Sequence, residues 1–190
     1  MTPSLDELHQ AFNQLLTPAP AAASTDAPNP TGPPPSAEAP TVAGSVVPAP
    51  EASADPVPSC RIVEGTARGY HFDATVAPEQ LVAAARLLDA RGFAIDAVTG
   101  VDWLAARRIE LVYDFYHPVS PLHVVLRCRV CRDGGEVPTV SEVFPGANWH
   151  ERETHDFFGV RFAGHPDLTP FLLPEDADYH PLRKDFPGAA

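Results

Sequence analysis

Apolar residues recur along this chain in two rhythms, and the change between them marks out its elements. Leu5, Leu8, Phe12 and Leu15 fall three or four apart, which puts them on one side of an α-helix. Ser4 and Glu7 stand at capping-box spacing, so hydroxyl and carboxylate can satisfy free amides at the helix start. A helix over 4–16 is therefore predicted. It is marginal alone, so it is either transient in a loose tail or a docking helix on a tether. A second helix starts at Pro78, which suits a first turn, and ends before Gly92. Leu81, Ala85 and Leu88 form its apolar face.

The rhythm then shortens to two. Strands are predicted over Phe93–Val98, Ile109–Tyr116 and Leu122–Cys131. In the second, Ile109, Leu111, Tyr113 and Phe115 share a face; in the third, Leu122, Val124, Leu126, Cys128 and Val130 do. The short Pro118–Pro121 link implies an antiparallel hairpin. Before them, Arg61–Phe72 is interrupted by Gly65 and Gly69 and reads as a broken strand or hairpin. Ser141–Phe144 reads as a helical turn, and a last helix starts at Asn148 and stops at Gly159. There Asn148 and Glu151 have capping-box spacing. From Val160 on, prolines break every period, yet Phe162, Leu168, Phe171, Leu172, Leu173, Leu182 and Phe186 need cover. Such a segment lies along its own domain or a partner, and a partner is the favoured expectation.

The fold class expected is α+β: a single two-layer domain, mostly antiparallel sheet with helices on one side. It carries an extended C-terminal tail and a disordered N-terminal linker. The expected organisation is a possible short docking helix over 1–16, a Pro/Ala-rich linker over 17–59, the α+β domain over 60–159 and a partner-wrapping tail over 160–190.

Composition sharpens the linker. Twelve of the 23 prolines lie between Thr17 and Ser59, among Ala, Ser and Thr. So few large side chains cannot offset the entropy of ordering the segment. The net charge of -12 disfavours nucleic acid as a partner. All Lys and Arg lie at or after Arg61, so no signal or transit peptide is predicted. No apolar run is long enough to span a membrane. Three cysteines do not suggest a secreted disulfide framework.

Candidate chemistry is thin. Cys128 and Cys131, three apart on a strand, face opposite sides and read as structural thiols. His150 and His155 are five apart, about 140° off a shared helix face, whereas a zinc-hydrolase helix needs four. Trp149, Arg152, Glu153, Asp156 and Phe157 share roughly one face, with Arg152 and Asp156 at pairing distance i,i+4. That face is either a solvated ion-pair surface or a charge-paired interface. A free adaptor working through the proline-rich segment is a rival reading.

Three stretches then resemble a known family. These are Pro138 to Trp149, Glu151 to Leu168 and His180 to Pro187. Their order and spacing are similar to the 30-kilodalton (C-type) subunit of NADH:quinone oxidoreductase, respiratory complex I, over about residues 60–190. Departures are Thr169-Pro170, where the family usually has basic residues, and Ala177-Asp178-Tyr179, where it often has Trp and Gly. Related subunits serve membrane-bound [NiFe] hydrogenases and formate hydrogenlyase-type complexes.

The resemblance implies a scaffold subunit with no catalytic, metal or cofactor-binding residue. It would pack on the large (D-like) quinone-site subunit and on iron–sulfur subunits, at the cytoplasmic face, reaching the membrane only through partners. The complex would carry iron–sulfur clusters and, by branch, FMN and quinone or a [NiFe] centre. The motif and interface residues it implies are Trp149, Glu151, Arg152, Glu153, Asp156, Gly159 and Phe162 on and after the helix. His165, Pro166 and Leu168 would start the tail, and Pro181, Leu182, Arg183, Lys184, Asp185, Phe186 and Pro187 would clamp its end.

Overall fold

A computed structural model describes residues 3–17 and 56–188; most of the predicted linker lies outside them. Helix α1 (Leu5–Leu16) has the expected capping box, with Ser4 Oγ accepting from the Glu7 amide and the Glu7 carboxylate accepting from the Ser4 amide. It then departs from expectation. Leu8 and Phe12 are fully buried, and the helix packs on this chain's own sheet and on a later helix, α3 (Leu81–Asp89). Phe12 meets Phe72 at 5.1 Å between ring centroids. A stripe of large apolar side chains is satisfied by the nearest uncovered sheet, so the folded unit includes residues that sequence spacing assigned to a detached element.

The broken segment after Cys60 resolves into strand β1 (Ser59–Ile62), a single helical turn α2 (Gly65–Arg68) and strand β2 (Phe72–Val76). Gly69 takes the left-handed conformation that ends the turn. A 3-10 turn at Pro78–Gln80 leads into α3, whose Leu81, Ala85 and Leu88 are buried as the spacing predicted. Strands β3 (Ala94–Trp103), β4 (Arg108–Tyr116) and β5 (His123–Cys131) follow. The first is longer than predicted, running past Val98 through Thr99 and Gly100.

The five strands form one sheet in the order β1-β2-β5-β4-β3. All neighbours are antiparallel except β2 and β5, which run parallel. One face is the core: Ile109, Leu111, Tyr113 and Phe115 from β4 are buried with Val124, Leu126, Cys128 and Val130 from β5. Helices cover this face. Burial first, and then the nearby Glu151 charge, push the Tyr113 phenol well above its ordinary value, so it stays neutral. Burial also pushes the Cys128 thiol up to about 12, while Cys131 stands on the exposed side.

Among the described residues the other face is braced by charge. Asp73 takes Arg61 at 2.7 Å and Arg127 at 3.0 Å. Glu110 takes Arg129 at 2.8 Å, and Arg129 lies over the Trp103 ring. The ladder runs across the sheet and covers two carboxylates that are themselves nearly buried.

Beyond β5 come a short strand β6 (Glu136–Pro138), helix α4 (Ala147–Phe158) and a short strand β7 (Arg161–Ala163) parallel to β6. Neither short strand was predicted; three residues are too few to show a period. Helix α4 lies on β3. Gly100 permits this, because a side chain there would run into the Phe158 ring.

Replacing Phe12 with Ala is expected to destabilise the fold by about 3–5 kcal/mol. Urea melts of the two proteins check it; equal midpoints would mean that α1 contributes nothing to the core.

Candidate functional site

The sequence motifs converge on α4 and on the chain that follows it. Glu151 does not cap the helix. The N-cap is Gly146, without a side-chain bond. The Glu151 side chain is fully buried, accepting from the Val140 amide at 2.8 Å and from the Thr139 hydroxyl. It thereby braces the Val140–Val143 turn that precedes the helix. His165 Nε2 lies 3.8 Å away and 3.3 Å from the Asn148 carbonyl oxygen, while His165 Nδ1 accepts from the Asp167 amide. An amide aimed at Nδ1 makes that nitrogen the acceptor, so the ring hydrogen sits on Nε2 and points to the Asn148 carbonyl. Burial raises the Glu151 carboxyl to about 7, against the two hydrogen bonds that favour its ionised form.

Arg152 and Asp156 do not pair with each other. Each instead holds the tail. Asp156 Oδ2 accepts from three successive amides, Phe171 at 2.8 Å, Leu172 at 2.7 Å and Leu173 at 3.3 Å. Arg152 donates to the Thr169 carbonyl at 3.2 and 3.1 Å and to the Pro170 carbonyl at 3.3 Å. Its guanidinium sits 5.3 Å from both the Trp149 and Phe171 ring centroids. Irregular backbone has as many polar groups as a helix and must place them all, and each side chain finds more partners in the tail than in the other.

Gly159 ends α4 in the left-handed conformation, and a side chain there would meet His180 and Arg183. These two bind the helix end. His180 Nδ1 contacts the Asp156 carbonyl oxygen at 2.8 Å. Arg183 donates twice to the Phe158 carbonyl, at 2.9 and 2.8 Å, and to the Arg132 carbonyl at 2.9 Å. The free carbonyls at a helix end are natural partners for a cation.

The tail finishes on a buried ion pair. Arg132 grips Asp102 with bonds of 2.9 and 3.1 Å and also reaches Asp185. The Lys184 amide donates to the same Asp102 at 2.8 Å. Burial raises the Asp102 carboxyl, but the Arg132 and Lys184 hydrogen bonds outweigh it and leave it below its ordinary value. Tyr179 and Phe186 stack at 5.6 Å. Phe162 is core, Leu168 packs against the core, and Pro166 lines a cleft of about 390 Å³ beside Trp149.

The tail thus lies on its own domain, where a partner was the favoured cover. What faces outward is a different set: Trp149, Glu153, Phe171, Leu172, Leu182, Lys184 and Pro187 are exposed, and Pro181 is half-buried. Sequence reasoning missed Asp102 and Arg132. No period marked Asp102: the predicted strand stopped at Val98, a bulge after Ile95 shifts the parity, and Asp102 stands opposite Ile109 only in the β3–β4 register.

A family model described as respiratory-chain NADH dehydrogenase, 30 Kd subunit, matches residues 74–190. The chain belongs to this family. It is 42% identical over 120 residues to the C-type NADH-quinone oxidoreductase subunit of Roseiflexus castenholzii, covering 60% of this chain and 69% of that one. It is 40% identical over 121 residues to the same subunit from Moorella thermoacetica, covering 62% and 82%. Among solved structures it resembles a chain in the membrane-bound sulfane sulfur reductase, an archaeal respiratory membrane complex. The TM-score is 0.60 at 28% identity, over 70% of this chain and 78% of that chain.

Among the described residues no helix is long and apolar enough to cross a membrane, and no group of three or more His, Cys, Asp or Glu is placed to hold a metal ion.

The buried Glu151 makes stability depend on pH in a stated direction. Between about pH 4.5 and about 7 the folded chain keeps a proton that the unfolded chain has released. Its contribution is full below that window and is lost as pH rises through it, up to about 3 kcal/mol. Glu151→Gln keeps the acceptor for Val140 and has no such proton. The difference in melting temperature between the two proteins should therefore change steadily from about pH 4.5 to about pH 7 in favour of Gln and level off above that. A constant difference would refute the assignment.

Proposed function

We propose that this chain is a non-catalytic scaffold subunit in the peripheral arm of a complex I-type NADH:quinone oxidoreductase. It packs on the large (D-like) quinone-site subunit beside iron–sulfur subunits, and so supports electron transfer coupled to ion translocation. The iron–sulfur clusters, FMN and quinone belong to its partners, and it meets the membrane at the cytoplasmic face only through them.

One observation carries the reading. The polar motif residues Glu151, Arg152, Asp156, Arg183 and Asp185 are all engaged within the chain, while Trp149, Phe171, Leu172 and Leu182 are held out to solvent. A fold that uses its ionic groups to fix an irregular tail, and leaves large apolar groups outside, is built to present a surface. The outward members of the motif, Trp149, Glu153, Pro166 and Leu182, then belong to the contact. The remainder position it.

A second reading places the chain in a related membrane-bound complex with different redox chemistry, such as a [NiFe] hydrogenase or formate hydrogenlyase-type assembly. The likeness to the archaeal reductase chain favours it. The scaffold role is the same in both.

The test is a pull-down of the tagged chain from its native membranes in mild detergent, with the bound proteins identified by mass spectrometry. The expected recovery is a stoichiometric large subunit with iron–sulfur and membrane subunits, and the set recovered names the branch. Recovery of the chain alone would overturn the proposal. Arg183→Glu is expected to lower the yield of complex several-fold while leaving turnover per assembled complex unchanged, because it unfastens the tail and touches no reacting atom. Normal yield with altered turnover would contradict a scaffold role.

A further inference from the structure

The exposed apolar residues are not scattered. Trp149 is 55% exposed, Phe171 40% and Leu172 53%, and the first two rings meet at 5.0 Å. They form one ridge along the outer side of α4 and the first part of the tail. The ridge is stiff. Arg152 lies against both rings, and the amides of Phe171 and Leu172 are tied to Asp156. A rigid Trp–Phe pair that needs no ordering on contact is what the centre of a tight interface requires.

The exposed charge along this part of the chain is mostly acidic. Between residues 142 and 180 six carboxylates are exposed: Glu142, Glu153, Asp167, Glu175, Asp176 and Asp178. The same stretch holds only two Lys or Arg residues. Arg152 is used on the tail carbonyls and lies 3.8 Å from Asp167, and Arg161 pairs with Glu136 at 2.9 Å. Most of the chain's cations lie elsewhere. Arg127 and Arg129 serve the outer face of the sheet, Arg107 and Arg183 share Asp133, and Arg132 is buried.

Resting on the scaffold reading above, we propose that the ridge docks into an apolar groove of the partner subunit whose rim is basic, with lysine and arginine facing Glu153 and the Glu175–Asp178 segment. The apolar centre supplies affinity. The acidic rim selects the partner: an acidic or neutral groove would bring like charges together or leave the five carboxylates other than Asp167 without compensation as water is excluded. Attraction across such a rim steers the encounter and weakens with salt.

The experiment uses the complex purified through the tagged full-length chain in mild detergent. Leu172→Ser is expected to lower recovery of the large subunit about tenfold. The exposed triple variant Glu175→Lys, Asp176→Lys, Asp178→Lys is expected to lower it by a similar factor in low salt, the deficit narrowing as sodium chloride is raised. Carbodiimide cross-linking of the wild-type complex gives an independent reading that needs no variant. It should join these carboxylates to lysines of a partner subunit. If the triple variant holds the partner as well as the wild type does, the basic rim is wrong while the scaffold reading stands. If the wild-type chain recovers no partner subunit, both fall.

Discussion

Three consecutive amides of a segment without regular structure converge on one carboxylate oxygen, that of Asp156. The course of the first half of the C-terminal tail follows from this. A chain that turns away from a helix and forms no ladder must still place every amide and carbonyl. Asp156 collects the donors of residues 171–173, while Arg152, one turn earlier on α4, collects the acceptors Thr169 and Pro170. The two side chains stand at the spacing of a helix ion pair. Pairing with each other at the surface contributes about 0.2–0.5 kcal/mol. Binding the tail gives several charge-assisted hydrogen bonds, each stronger than that, and a defined path for the chain.

A second anchor is needed because the first leaves the end of the tail free to swing. The Arg132–Asp102 pair supplies it at the edge of the sheet, joined by Asp185 and the Lys184 amide. Burying two ions is costly, and a lone buried pair is often worth little in net stability. Here the remaining donors and acceptors are used: Arg132 bridges two carboxylates, and Asp102 takes an amide as well. Its value lies in register. An apolar contact tolerates sliding, whereas a bidentate guanidinium with a third bond on the same oxygens admits one position of the tail.

Much of this was legible in the sequence. The alternation of Ile109 to Phe115 and of Leu122 to Val130 marked both central strands and the buried face, and the α1 capping box was legible to the residue. The parallel pairing of β2 with β5 was not, because nothing in the five residues Phe72–Val76 records which neighbour they find. The partner of α1 was hidden for a related reason. An apolar stripe states that it needs cover, and only the folded sheet states where cover is nearest. At the site, the spacing of Arg152 and Asp156 suggested the wrong pairing, since i,i+4 rules describe an isolated helix and this one has a tail laid across it. Asp102 and Arg132 are far apart in the chain, and only the β3–β4–β5 register brings them together.

The motif residues therefore carry meaning at one remove. Polar residues in a recognition motif invite assignment to a partner, yet here Glu151 braces a turn, Asp156 and Arg152 hold the tail, and Arg183 closes the helix end. Each acts through backbone of its own chain. A surface made of irregular backbone keeps its shape only if its polar groups are fixed from beneath. Once they are fixed, large apolar side chains can stand outward without collapsing onto the fold. The ionic network and the exposed Trp149–Phe171–Leu172 ridge are thus one device: removing the network lets the ridge fold back or fray, and removing the ridge leaves the network with nothing to present.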